Sequence, residues 1–475
     1  MDLLGTSGSG QTQTDMLVQS FRQTQQFRLD SLNSRKNDLE KRSSFFNNLN
    51  SRINSLVSAI DAFTADNASD KFITRKSSSS DTSVLSASAN SEASLGVSQV
   101  RVNRLASRDM LVSSRLNNSG SFGGVSGTET ITLTINGESK DINVEFDGTE
   151  TNEQAMKKIA AAVNLDDEHG INATYIKDTS TTGRLTFVAA ESGQDNSIQL
   201  SGSSILNNLG IAPGQVTQTG SSRTLTNGAG AGYRMADSAE LNSEIEINGI
   251  QVTRDSNTID DVLEGVTLNL KKPQEADELE VVVNTETDID EIKSFIEPLL
   301  KNFNDTLKFL NSNKAQRRSD PAMESLYGRL RGMASQNLSN GDPDTFSYLM
   351  EVGISIGNDG TLSITDDAKL EEMIRDNPQK VAELFTSESG FAGKLENAIA
   401  NLKGENGLIK SRTLSLADQI DATKDRTQEV QSQIDQQANA MRKQYETLLQ
   451  TFFEAQGQNQ LFIGMDTSGY NSLYT

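Results

Sequence analysis

The stretch LEKRSSFFNNLNSRINSLVSAIDAF, residues 39–63, decides the fold. Leu39, Phe46, Leu49, Ile53, Leu56, Ile60 and Phe63 fall at steps of three and four once Arg42 fills the position between Leu39 and Phe46. That spacing keeps one narrow edge of a helix apolar and calls for a partner helix rather than a broad core. An amphipathic helix on a globular core would carry a wider apolar stripe, whereas here the remaining positions are mostly Asn, Ser, Lys, Arg and Glu. Toward the N-terminus the seam continues through Arg35 to Leu32. The pattern predicts a helix from about Asp15 to Phe63, with Thr14 or Asp15 as its N-cap and no Pro inside.

A second Pro-free seam lies at the other end, from about Leu408 to Ala455. Leu416, Ile420, Thr423, Thr427, Val430, Ile434, Ala438, Met441, Tyr445, Leu448, Phe452 and Ala455 keep the same spacing, apart from a four-four step between Val430 and Ala438. Such a step locally unwinds a supercoil. Two narrow terminal seams, neither able to bury its stripe alone, are expected to pair with each other. Thr423 and Thr427 weaken a two-helix seam, so copies from other subunits are expected to join it.

The residues expected to form this assembly interface are Leu39, Phe46, Leu49, Ile53, Leu56 and Ile60 on the first helix. On the second they are Ile420, Val430, Ile434, Met441, Tyr445, Leu448 and Phe452.

Between the coils the period changes to two. Residues 98–105, 130–135, 142–146, 184–188 and 244–247 read as half-exposed strands. Asn136-Gly137, Asp147-Gly148 and Asn248-Gly249 follow such runs and are suited to tight hairpins. Short helices are expected at about 152–163 and 259–264. Serine-rich residues 77–80 and the glycine-rich stretches 117–127 and 220–232 read as hinges or linkers. The helical period returns at 289–310, where Pro298 is expected to kink or divide the helix. Further helices are expected at 324–338 and 369–386, the last broken near Pro378.

The fold class is therefore α+β and multidomain: terminal coiled-coil helices and a helical leg with inserted antiparallel β head subdomains. The divisions fall at 1–65 (N-terminal coil), 66–116 and 235–288 (two parts of a β head), 117–234 (an inserted outer β subdomain), 289–407 (helical leg) and 408–475 (C-terminal coil and tail).

Composition limits function. With 475 residues, about three structural units are expected. The 43 basic against 65 acidic residues give a net charge of -22, which repels nucleic acid and anionic lipid. Residues 1–60 hold seven basic and five acidic side chains and 409–455 six and seven, so the acidity sits in the middle. With no Cys, disulfide scaffolds and thiol catalysis are excluded. Residues 1–10 show no basic and apolar leader pattern, and no apolar run has membrane-spanning length, so no cleaved secretory signal and no transmembrane helix are expected, and export would need another route.

No catalytic constellation emerges, so the chain reads as no enzyme, with no cofactor and no metal. The single His, His169, follows Asp166-Asp167-Glu168 and lacks a second His or Cys to share a metal. No Gly-x-Ser-x-Gly turn and no Gly-Lys-Ser/Thr phosphate loop is present. Paired acids of a glycosidase converge only in the fold, but sugar-stacking aromatics are scarce, with no Trp and seven Tyr.

The order of these features resembles the flagellar filament capping proteins, the hook-associated protein 2 family. The resemblance runs through residues 5–10, Asp15 to Val18, Arg35-Lys36, Phe72 to Arg75, Ser78 to Asp81, 84–89 and 100–106. It continues through 245–249, 252–259, 262–268, Asp359 to Ser363 and the heptads ending near Tyr445. Residues 130–202 are similar to a small motif shared by flagellins and hook-associated proteins. Gln25-Gln26-Phe27 departs from the acid and Pro that the family often carries.

The resemblance implies export by the flagellar type III system to the distal tip of the flagellum. There a homo-oligomer of about four to six subunits would promote flagellin insertion and prevent flagellin loss to the medium. Flagellin and a flagellar export chaperone are the implied partners, with no nucleic acid and no membrane. The alternatives are a hook-filament junction component, or a secreted adhesin or carbohydrate-active protein whose heads bind host glycan.

Overall fold

The computed structural model describes residues 5–165, 169–202, 204–339, 344–404 and 406–469, with side chains from residue 12 to 458. It divides into two compact units, Met1–Phe72 with Ile292–Thr475, and Ile73–Glu291.

The first unit is helical. Its termini are helices Gly5–Thr64 and Leu408–Gly469, each longer than its seam predicts. Helix Ile289–Ser312 runs through Pro298 without dividing. Pro298 is exposed, so the carbonyl one turn back that loses its bond faces water. Ile292, Ile296, Leu299 and Phe303 hold the opposite face buried. Pro378 does end one helix and start another, separating Asp367–Asp376 from Pro378–Thr386. The core is aromatic: Phe63 stacks on Phe295 with centroids 4.2 Å apart, Phe72 on Phe385 at 5.9 Å, and Phe303 meets the edge of Phe391 at 5.5 Å.

The second unit is antiparallel β around two cores. In the inner one, a five-stranded sheet runs Arg75–Ser79, Val281–Thr287, Gly96–Arg104, Ser243–Ile247, Ile250–Arg254 in spatial order. A three-stranded sheet of Thr258–Leu263, Val266–Leu270 and Leu85–Ala89 completes it. Val100, Val102, Ile245, Leu268 and Val283 fill the space between.

The outer core is contributed by residues lying between these strands in sequence. It includes Leu111, Ile131, Val144, Met156, Leu185, Phe187, Leu206 and Tyr233. Hairpin Gly127–Ile135/Glu138–Phe146 turns at Asn136-Gly137, whose φ angles of 50° and 76° suit a two-residue turn. Asn248-Gly249, at 50° and 82°, closes the inner hairpin in the same way.

Several sequence expectations are corrected. Residues 259–264 are not a helix: Thr258–Leu263 is a strand whose pairing shifts between Ile259 and Leu263. An irregularity of that kind breaks the period of two and leaves Ile259 and Val262 at a helix-like spacing. The serines at 77–80 are not a linker, since Arg75–Ser79 pairs along its length with Val281–Thr287. Residues 117–127 bury Phe122 and Val125 in the outer core. Residues 220–232 are also built in, with Arg223 fully buried.

Asp147-Gly148 closes no hairpin. It leads into helix Asn152–Asn164, where Glu150 accepts hydrogen bonds from the Asp147 and Gly148 amides at 2.7 and 3.0 Å. Thr151 and Gln154 form the capping box of that helix.

Arg223 lies 2.7 Å from Asp109 and 4.3 Å from the centre of the Tyr233 ring. Asp109 also accepts from the amides of Met110 and Ile198. This buried pair ties three segments of the outer core together, and burial pushes the Tyr233 hydroxyl up to about 12. Asp109→Ala strands the Arg223 charge, so urea unfolding of the β unit should show a loss of roughly 3–5 kcal/mol.

The Lys158 ammonium and the Asp147 amide hold the Glu150 carboxyl at about 2, below its ordinary 4.5. This contribution to stability is complete above pH 4.5 and is lost as pH falls toward 2. Acid titration of Glu150→Gln should therefore show a flatter stability profile in that window than the parent.

Candidate assembly interface on the paired terminal helices

The two terminal helices run antiparallel. Arg442 pairs with Asp15 at 2.9 Å and Arg22 with Asp435 at 2.9 Å, and Leu29 packs with Val430 and Ile434 beside Phe21 and Leu32. Both ion pairs are solvated, so they set register more than they add stability.

Of the residues expected in the seam, Leu39, Phe46, Leu49, Ile53, Leu56, Ile60, Ile420, Val430 and Ile434 are buried. Met441 and Tyr445 are half-buried. Leu448 and Phe452 are not brought to the seam: they are 64% and 55% exposed, and Leu449 takes the inward position after Tyr445. A second four-residue step, from Met441 through Tyr445 to Leu449, accounts for the shift of face. On the first helix Lys36, rather than Arg35, occupies the half-buried position between Leu32 and Leu39.

The seam is graded. From Phe46 to Phe63 it is continuous and apolar, whereas toward the N-terminus it passes through Arg42, Lys36, Gln25 and Thr14. Thr423 and Thr427 satisfy their hydroxyls by donating to the carbonyls of Gln419 and Thr423 at 2.7 and 2.8 Å, which leaves them little to offer a partner helix.

Phe45 was not singled out by its spacing. It is buried and stacks on Phe309 at 5.4 Å, with the Arg52 guanidinium 4.9 Å from the same ring. The doublet Phe45-Phe46 was the available signal, because it widens the stripe where a third helix packs.

His169 is buried, its Nε2 2.7 Å from the Val163 carbonyl while its Nδ1 accepts from the Ile171 amide at 3.1 Å. Both ring nitrogens are thus committed to backbone. Asp166, Asp167 and Glu168 lie outside the described residues. Among the described residues no group of three or more His, Cys, Asp or Glu is placed to hold a metal, and no helix is long and apolar enough to cross a membrane.

Long terminal helices zipped antiparallel, with β structure inserted between them, define a coiled-coil assembly protein. Residues 10–109 match the family model described as flagellar hook-associated protein 2 N-terminus, and residues 241–456 match its C-terminus counterpart. The chain belongs to the flagellar hook-associated protein 2 family.

The B-type flagellar hook-associated protein 2 of Pseudomonas aeruginosa is 26% identical over 381 residues, covering 76% of this chain and 77% of that protein. Flagellar hook-associated protein 2 of Salmonella typhimurium is 27% identical over 354 residues, covering 68% and 72%. The fold is similar to the crystal structure of the D1-D2-D3 domains of the flagellar cap protein FliD from Escherichia coli. That match has a TM-score of 0.58 at 20% identity and covers 78% of this chain and 99% of that one.

Because Leu49 is fully buried, Leu49→Ala should cost about 2–5 kcal/mol by chemical denaturation. Leu448→Ala should stay within about 0.5 kcal/mol of the parent, since the side chain is exposed in the single chain.

Proposed function

We propose that the chain is a non-enzymatic cap at the distal tip of the bacterial flagellum. Several copies, about four to six, form a plate there that promotes insertion and polymerisation of flagellin and prevents its loss to the medium. The reading rests on family membership, and the observation that carries it is the antiparallel pair of terminal helices. In a single chain that pair leaves Leu448 and Phe452 in solvent. Apolar side chains left exposed on an already folded coil are available to further helices, from other copies or from the filament.

No hydrolysis is needed under this reading. Burial of apolar surface by incoming flagellin supplies the drive, and weak contacts made by the coil break and re-form as subunits enter. The same reading makes the flagellar type III system the export route and gives the C-terminal coil an export chaperone as partner before assembly. It assigns 1–65 and 408–475 to the coil, 289–407 to the leg, 66–116 with 235–288 to the inner head, and 117–234 to an inserted outer head. Two β cores with no residue in common support an inserted outer head, with Leu111 and its strand falling on the outer side of the boundary.

A deletion strain should lack filaments and release unpolymerised flagellin into the medium; normal filaments with lost adhesion would overturn the cap reading. Leu448→Asp should leave the helicity of the single chain unchanged and block assembly. An oligomer of unchanged size by light scattering would contradict that role for Leu448.

A further inference from the structure

We propose that the Ile73–Glu291 unit carries a polar latch. A turn of the outer core at 192–197 docks on a turn of the inner core at 255–257, and its release lets the outer core swing while both cores stay closed.

The two cores have no apolar residue in common, and hydrogen bonds run between them and along the chain that connects them. Ser192 Oγ donates to the Asp255 carbonyl at 2.6 Å, and the Gln194 amide donates to Asn242 Oδ1 at 2.6 Å. On the segment of chain that connects the two cores, the Asn257 side chain grips Ala106 at both ends. Its Oδ1 accepts from the Ala106 amide at 2.7 Å and its Nδ2 donates to the Ala106 carbonyl at 2.9 Å. The Gly193 amide donates to the Ser107 carbonyl at 3.1 Å.

Each turn is braced within its own core. The buried Ser243 hydroxyl lies 2.9 and 2.8 Å from the carbonyls of Arg254 and Ser256, and the Leu270 amide donates to Asn257 O at 2.8 Å. On the outer side, Asn196 Nδ2 donates to the Ser192 carbonyl at 2.8 Å and the Ser197 amide to Gln194 O at 3.0 Å. Two preformed turns therefore meet as rigid surfaces.

Their approach is close enough to demand glycine. Gly193 has φ +96°, and a Cβ there would lie 2.1 Å from Asp255 Cβ and 2.5 Å from its Cα. Directional hydrogen bonds hold one orientation, yet water can replace them when they part. An apolar joint would have lacked that property. The inference stands on the β unit alone and does not depend on the cap reading.

The chain has no Cys, so Asn143→Cys and Thr253→Cys can place one spin label on an exposed residue of each core. Pulsed EPR should give one narrow distance in the labelled parent. Gly193→Ala and Asn257→Ala should each broaden it, while hydrogen-exchange protection of the Ile131 and Val100 amides is retained. A broad distribution in the parent, or an unchanged one in either variant, would overturn the latch. Broadening accompanied by lost protection in either core would overturn it too, because the unit would then be opening as one cooperative body.

Discussion

The antiparallel seam between helices Gly5–Thr64 and Leu408–Gly469 is the constraint on which the rest depends. It joins the two ends of the chain, so everything between them is an excursion that must leave and return. Burial of Leu49, Ile53, Leu56 and Ile60 supplies the drive, and the narrowness of the stripe sets the form of the answer. A helix with one thin apolar edge has no stable position on a broad core. Phe45 on Phe309 and Phe63 on Phe295 show where the pair gains a third layer, and there the stripe widens.

The seam is not uniform along its length. Its dense part anchors the helical block, while Thr14, Gln25, Lys36, Thr423 and Thr427 dilute the remainder. A seam made apolar throughout would have paired the two helices more strongly. In a family of structural cap proteins, contacts that hold without being irreversible suit a body that must keep its place while subunits are added. The β unit follows a related logic, with two separate cores and a polar contact between them.

Much of this was legible in the sequence, for reasons that can be named. Heptads repeat over many turns, so single exceptions such as Arg42 did not hide the seam. Asn136-Gly137 and Asn248-Gly249 require positive φ, and the structure turns there. Pro378 breaks a helix because the chain can turn there.

What escaped was local irregularity and composition. One shift in pairing made Thr258–Leu263 look helical, and an added four-residue step moved the inward face from Leu448 to Leu449. Serine and glycine at 77–80 and 220–232 suggested linkers, yet small residues also permit close strand packing, as at Gly232. The buried Asp109–Arg223 pair left no trace in spacing, because its partners meet only in the fold.

The most direct measurement of the central claim is Förster transfer within one chain, using dyes on Thr24→Cys and Ser432→Cys, exposed positions on the two helices of the antiparallel pair. High transfer in dilute native solution, abolished by Ile434→Asp at the buried seam, is the result expected. Low transfer in the parent background would contradict the pairing, because the terminal helices would then be separate until another chain meets them.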